Sequence, residues 1–179
     1  MSFVGPLKLN LAAGTDLKPP PWRNLDVVPL WPTMKRGCDV IWDARHDVIP
    51  FPDASAQEVV AGYLLLHLAP KYHESVLKEI RRVLCPGGKL QVGEVDMDVV
   101  MRRWLDNPED VGLSELIWGE QGHRTAAGFE VFEQWDKHCW GFTEPKLRAT
   151  LERAGFKNIQ RVKIHAAEVF YELTLECER

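Results

Sequence analysis

Four apolar runs in the first third of the chain each end in residues that could hold part of an adenosyl ligand. Residues 7–12 lead into Ala12-Ala13-Gly14, where small side chains let a ligand approach the backbone and glycine opens unusual backbone angles. Residues 24–28 contain Asp26 and Val27, and a carboxylate there can accept both hydroxyls of a ribose. Residues 39–42 lead to Asp43-Ala44-Arg45, where Asp43 could accept an adenine amino hydrogen beside a donating backbone amide. Residues 57–64 close on Gly62-Tyr63-Leu64. Taken singly, each reads equally well as a tight turn or an ordinary capping aspartate. Four in this order, each just after a strand, point to one ligand site, because open α/β sheets bind ligands at the carboxyl ends of their strands.

A second set of residues could move a proton. His67 follows the fourth run, Asp96 follows the fifth, and His123 and His138 fall in later loops. Each has a structural alternative. Asp96 suits the N-cap of a helix over 97–106, and the histidines could brace loops. No histidine pair has HxxxH spacing, and Cys38, Cys85, Cys139 and Cys177 are dispersed, so reduced thiols are expected rather than a metal site. The tryptophans and Tyr63 fit either an aromatic wall for a planar acceptor or plain core.

The elements that must position these residues alternate strand and helix, the pattern of a mostly parallel sheet. In VLKEIRRVLCPGGKLQVGEV (76–95), apolar residues at helical spacing predict a helix over 70–84. Cys85-Pro86-Gly87-Gly88 ends it, and a strand over 89–95 follows. A helix over 143–154 has Thr143 as cap and Pro145 in its first turn. Strands near 158–164 and 167–176 are too close for a crossover helix, so they form an antiparallel hairpin. Residues 15–23, TDLKPPPWR, predict a polyproline-like loop or a very short helix between the first two strands. Residues 96–142 hold Trp104, Trp118, Trp135 and Trp140 and read as an insertion suited to a substrate lid.

A chain of 179 residues suits one domain, 1–179. Its net charge of −4 argues against a broad nucleic-acid face and leaves Arg102-Arg103 as a local basic patch. No apolar run reaches the length of a membrane span, and the N-terminus lacks the charged start and apolar core of a signal peptide. A cytoplasmic location is the default expectation.

These residues together resemble the class I S-adenosylmethionine (SAM)-dependent methyltransferases, most of all the small methyltransferase type 11 group. Leu9-Asn10-Leu11-Ala12-Ala13-Gly14 resembles the family's L-N-L-G-x-G, and Trp22-Arg23-Asn24-Leu25-Asp26 its W-x-N-x-D. Pro50-Phe51-Pro52-Asp53-Ala54-Ser55, Leu65-Leu66-His67-Leu68 and Glu79 to Gly88 resemble three further motifs. Phe142-Thr143 through Ala154-Gly155-Phe156 resembles the closing one, so the likeness spans about residues 7–164. It implies an α/β, Rossmann-like sheet of about seven strands, mostly parallel with a C-terminal antiparallel hairpin and helices on both faces. It also implies SAM as cofactor, with S-adenosylhomocysteine (SAH) as product. Asn10, Ala12, Ala13 and Gly14 would serve its methionine part, Asp26 and Val27 the ribose, Asp43 and Ala44 the adenine, and Gly62 and Tyr63 would line the site. The family's usual position of His67 and His138 makes them, with Asp96, the catalytic candidates. A NAD fingerprint needs several glycines opening a helix, and here only Gly14 is present, with prolines after it.

Three departures carry expectations. Ala12 replaces the family's first glycine, which strains the loop or weakens cofactor binding. Leu66 replaces a glutamate beside His67, which removes a carboxylate near the site. The chain opens almost at the first strand, so the helix that covers the cofactor in longer members is expected to be missing and a homodimer could supply cover. The expected function is methyl transfer to a small-molecule or glycan-intermediate acceptor. The alternatives are a non-catalytic SAM/SAH-binding interaction protein and a nucleotide-binding oxidoreductase.

Overall fold

A computed structural model describes residues 6–27, 37–119, 137–162 and 171–179. Seven strands form one sheet: β1 (Leu7–Leu11), β2 (Trp22–Asp26), β3 (Val40–Ile41), β4 (Ala56–Gly62), β5 (Leu84–Val95), β6 (Lys157–Val162) and β7 (Glu172–Glu178). Their order is β3-β2-β1-β4-β5-β7-β6. The pairings from β3 to β5 are parallel, while β7 runs antiparallel to both β5 and β6. Strand order therefore reverses between β1 and β4, the place where an α/β sheet opens a ligand crevice.

Alternation along the strands decides what covers each face. Leu9, Leu11, Leu25, Val59, Ala61, Leu90, Val92, Leu173, Leu175 and Cys177 point one way into the main core. Helix α1 (Pro70–Val83) buries Val76, Leu77, Ile80 and Val83 against that face. The last described helix, α4 (Glu144–Arg153), adds Leu147 and Leu151 to the same core. The other face is polar. Lys8 pairs with Glu58 across it at 2.6 Å, and Lys89 with Glu176 at 3.0 Å. Among the described residues, helical cover of this second face is confined to its carboxyl end. There α2 (Met97–Asp106) and α3 (Val111–Trp118) build a small second core with Leu66 and Val95. The sequence reading lacked α3.

Two connections lack the usual form, the first as the prolines of residues 15–23 lead one to expect. Between β1 and β2 the described chain is a loop without a helix. The side chain of Asn24 replaces the missing structure: its Oδ1 accepts from Lys18 N at 2.8 Å, and its Nδ2 donates to Lys18 O at 2.9 Å. At the other connection, Cys85 to Gly88 is part of β5 rather than a turn before it. Ala56 pairs with Leu84 and Glu58 with Lys89, so the Pro-Gly-Gly stretch bulges out of the ladder. A Cβ on Gly88 would stand 2.9 Å from Cys85 O and 3.2 Å from Ala56 O, so a side chain there has no room.

Candidate active site

The loop after β1 turns on two residues in the left-handed region, Ala12 at φ 51° and Gly14 at φ 48°. Alanine pays roughly 1–2 kcal/mol for that conformation. Ala12 thus keeps the backbone shape that the family's glycine would adopt, at the cost of strain. Tertiary contacts hold the loop: Ala13 N donates to Leu25 O at 3.1 Å, and Gly14 N donates to Asp26 Oδ2 at 2.7 Å. Asn10, expected to face the ligand, is buried and serves the loop. Its Nδ2 donates to Asp16 O at 2.7 Å and to Asn24 Oδ1 at 3.0 Å.

β4, the neighbour of β1, ends in Gly62 and then Tyr63, whose φ of 54° is again left-handed. Strained residues on two adjacent strand ends mark a place where backbone shape is held for a purpose. Open space lies over the same spot. A Cβ on Gly62 would meet nothing within 4 Å, and one on Gly14 only Ala12 O at 4.0 Å. Asp26, buried at the end of β2, completes this side, with half-buried Val27 next to it. Further out, Asp43 is held by Arg45 through a bidentate pair, with Nη2 to Oδ2 at 2.6 Å and Nε to Oδ1 at 2.9 Å. That guanidinium keeps the Asp43 carboxyl below its usual range. Ala44 packs against the core beside it.

The turn over residues 63–68 is tied down at almost every polar atom. Leu65 N and Leu66 N donate to the two carboxylate oxygens of Glu94, at 2.9 and 3.1 Å. His73 Nε2 bonds Leu65 O and Leu68 O, both at 2.9 Å. Leu66 O accepts from Cys139 N at 2.7 Å and Trp140 N at 3.1 Å. Glu94 is wholly inaccessible, and burial pushes its pKa up to about 8 against the two amide donors. Sequence reasoning missed it, although Glu94 falls in phase with Leu90 and Val92 on the core-facing side of β5, the signal that could have found it. Leu66 itself is buried in the second core, and its amide is bound by the Glu94 carboxylate. Tyr63 sits nearby, its hydroxyl pushed up to about 12 by burial, then by Glu172 and Glu94, so it stays a donor.

Hanging residues 137–142 on this turn brings His67 and His138 together, with ring centroids 5.0 Å apart. His67 Nδ1 lies 3.2 Å from Lys137 O, and His138 Nδ1 lies 3.0 Å from Leu116 O. A carbonyl only accepts, so each Nδ1 carries the proton, and the neutral His67 ring keeps Nε2 as its acceptor. Burial lowers the pKa of His67. Asp96 is engaged at both oxygens, Oδ1 by Asp98 N at 3.2 Å and Oδ2 by Arg161 Nη2 at 2.8 Å. It is the N-cap of α2. His123 and Trp135 lie outside the described residues. Trp104, packed against the second core, meets exposed Trp118 edge to face at 5.4 Å, and Trp140 carries Lys146 over its ring at 3.8 Å. No group of metal-ligating side chains occurs among the described residues, where the cysteines are free thiols. No described helix is long and apolar enough to cross a membrane.

Residues 32–92 match the family model of the methyltransferase domain. The whole sheet matches solved structures. A SAM-dependent methyltransferase from Thermotoga maritima superposes with a TM-score of 0.58 at 19% identity, over 96% of this chain and 81% of that one. A second, from Methanosarcina mazei, gives 0.55 at 17% identity over 97% and 92%. This is the class I SAM-dependent methyltransferase fold. Human N-acetylserotonin methyltransferase, solved in complex with SAM, matches at 0.57 and 18% identity, over 97% of this chain and 47% of that one. No curated protein matches. At the strand ends after β1 and β4, Gly14 and Gly62 leave open space, and Asp26 sets a carboxylate beside Gly14.

Proposed function

We propose that the protein transfers a methyl group from SAM to a small-molecule or glycan-intermediate acceptor. What supports this reading is that Ala12, Gly14, Asp26, Gly62 and Tyr63 stand at the ends of neighbouring strands where strand order reverses, with open space at Gly14 and Gly62. SAM supplies an electrophilic methyl on a sulfonium, so alignment and exclusion of water carry much of the rate. Asp26 would hold the ribose hydroxyls, and the backbone of residues 12–14 the methionine part. Asp43 would share its carboxylate between Arg45 and the adenine, beside Ala44. Tyr63 would wall the crevice and donate through its hydroxyl.

Of the candidate bases, the geometry favours His67. Its Nδ1–H is fixed on Lys137 O, its Nε2 is the acceptor, and its lowered pKa keeps the ring neutral near pH 7. His138, against its ring, would orient it. Asp96 is better suited to capping α2 and anchoring β6, since both oxygens are engaged. Calorimetric titration with SAM and SAH tests the reading. Micromolar binding, on the order of −8 kcal/mol, is expected. No heat with either ligand in the folded protein would refute it.

A further inference from the structure

We infer that the cleft between α2 and α4 binds an oxyanion of the methyl acceptor, a phosphate or a carboxylate group; this rests on the methyl-transfer reading. The cleft is open, with a volume of about 670 Å³, and is lined by Arg102, Arg103, Arg148 and Arg161 together with Asp96, Asp98 and Glu144. Three separate elements supply the arginines: α2, α4 and β6. The acids are partly neutralised within the cleft. Arg161 holds Asp96 at 2.8 Å and Glu144 at 3.1 Å, and Arg148 holds Glu144 at 2.9 Å.

The other two guanidiniums have no such neutralisation. Arg103 bonds the Tyr171 hydroxyl and lies 4.8 Å from that ring's centroid. Arg102 is exposed and has no ion pair among the described residues. Four arginines against three acids leave this lining one positive charge, in a chain whose net charge is −4. The first turns of α2 and α4 also reach the cleft, through Asp98 and Val99 and through Glu144 and Pro145, adding the positive ends of two helix dipoles. Planar guanidinium forks suit the bidentate geometry of phosphate and carboxylate.

Placement links the cleft to the reaction. Asp96 follows β5, on the same carboxyl edge as Gly14 after β1 and Tyr63 after β4. β5 lies two strands from β1, on the order of 10 Å. Arg102 and Arg103 lie one to two turns into α2 beyond that edge, so an extended acceptor can rest its anionic end on them and present its other end toward the crevice. The basic pair that stands out in the sequence thus gains a ligand class that the fold alone does not assign.

The test is an NMR titration of the full chain, isotope-labelled, with inorganic phosphate and separately with malonate, at constant ionic strength and with SAH present. Saturable shifts at Arg102, Arg103 and the first turn of α4 are expected, and the stronger probe identifies phosphate or carboxylate as the preferred group. Arg102→Glu, a change on an exposed helix face, should weaken that binding roughly tenfold and leave SAH affinity unchanged. Shifts that never saturate, or that sodium chloride reproduces, overturn the proposal, as does saturable binding that Arg102→Glu leaves intact. If SAH fails to bind while phosphate binds, the methyl-transfer reading and the acceptor assignment fall together and the oxyanion site stands.

Discussion

The carboxyl edge of the sheet is built in two ways. Over β1, β2 and β4 the surface offered to a ligand is mostly backbone, with Ala12, Gly14 and Tyr63 in left-handed conformations and one carboxylate, Asp26, on the Gly14 amide. Over β5 and β6 it is long charged side chains, with Arg161 bridging Asp96 and Glu144, and Arg102 beside them. The first construction recognises a fixed shape and tolerates little change, because each backbone angle is braced by a partner strand. The second can be altered residue by residue without disturbing a strand pairing. A constant cofactor and a variable acceptor call for that division.

Glu94 joins the two halves, since it lies on β5 and holds the turn after β4, and replacing it should have the largest effect. Its folded pKa, about 8, stands above the ordinary 4.5. The unfolded chain therefore ionises first, and this group's contribution to stability falls as pH rises from about 4.5 to about 8. Glu94→Gln can accept from only one of the two amides, so it should be less stable than the wild type near pH 5 by about 1–3 kcal/mol. The deficit should shrink or reverse toward pH 8, where the wild type itself loses on the order of 4 kcal/mol at most. Denaturation curves at both pH values check this, and parallel pH profiles would remove Glu94 as a buried titrating group.

Asp26→Ala probes the backbone-built half. Losing hydrogen bonds to a charged group should weaken SAH binding by about 1.5–3 kcal/mol. Unchanged affinity in a folded variant takes Asp26 out of the site. Ala12→Gly relieves the left-handed strain, offset by the freedom that glycine adds to the unfolded chain. A net gain below about 1 kcal/mol is expected, raising Tm by roughly 2–4 °C at most. A lower Tm would mean that Ala12 is unstrained in the folded protein. The smallest effect concerns His67. Its lowered pKa contributes stability above about pH 6.5 that is lost as pH falls. An NMR titration should place its midpoint below the ordinary histidine value of about 6.5, and a midpoint above it would contradict the neutral ring argued for the base.

Period and punctuation in the sequence made the ligand edge legible. Asp26, Gly14, Gly62 and Tyr63 each follow an apolar run, and strand ends in an α/β sheet point to one edge. The helix over 97–106 and its Asp96 cap were legible for the same reason, as local signals. One element was read wrongly in kind. Cys85-Pro86-Gly87-Gly88 has the residues of a turn but lies within β5 as a bulge, because Leu84 before it pairs with Ala56 and Lys89 after it with Glu58. Asn10, which the sequence places at the ligand edge, also bonds the Asp16 carbonyl, because the loop lacks a helix to satisfy its backbone.

By itself, then, the sequence determined the strand-helix alternation, the apolar face of α1, and the small and acidic residues that end each strand. These are consequences of neighbours along the chain. Only the tertiary structure decided that Glu94 would supply the turn at Leu66 with a carboxylate, that His67 would meet His138, and that four arginines would share one cleft. Those meetings depend on which strands pair and where each helix docks. Residues dozens of positions apart become partners only when burial and backbone hydrogen bonding have set that geometry.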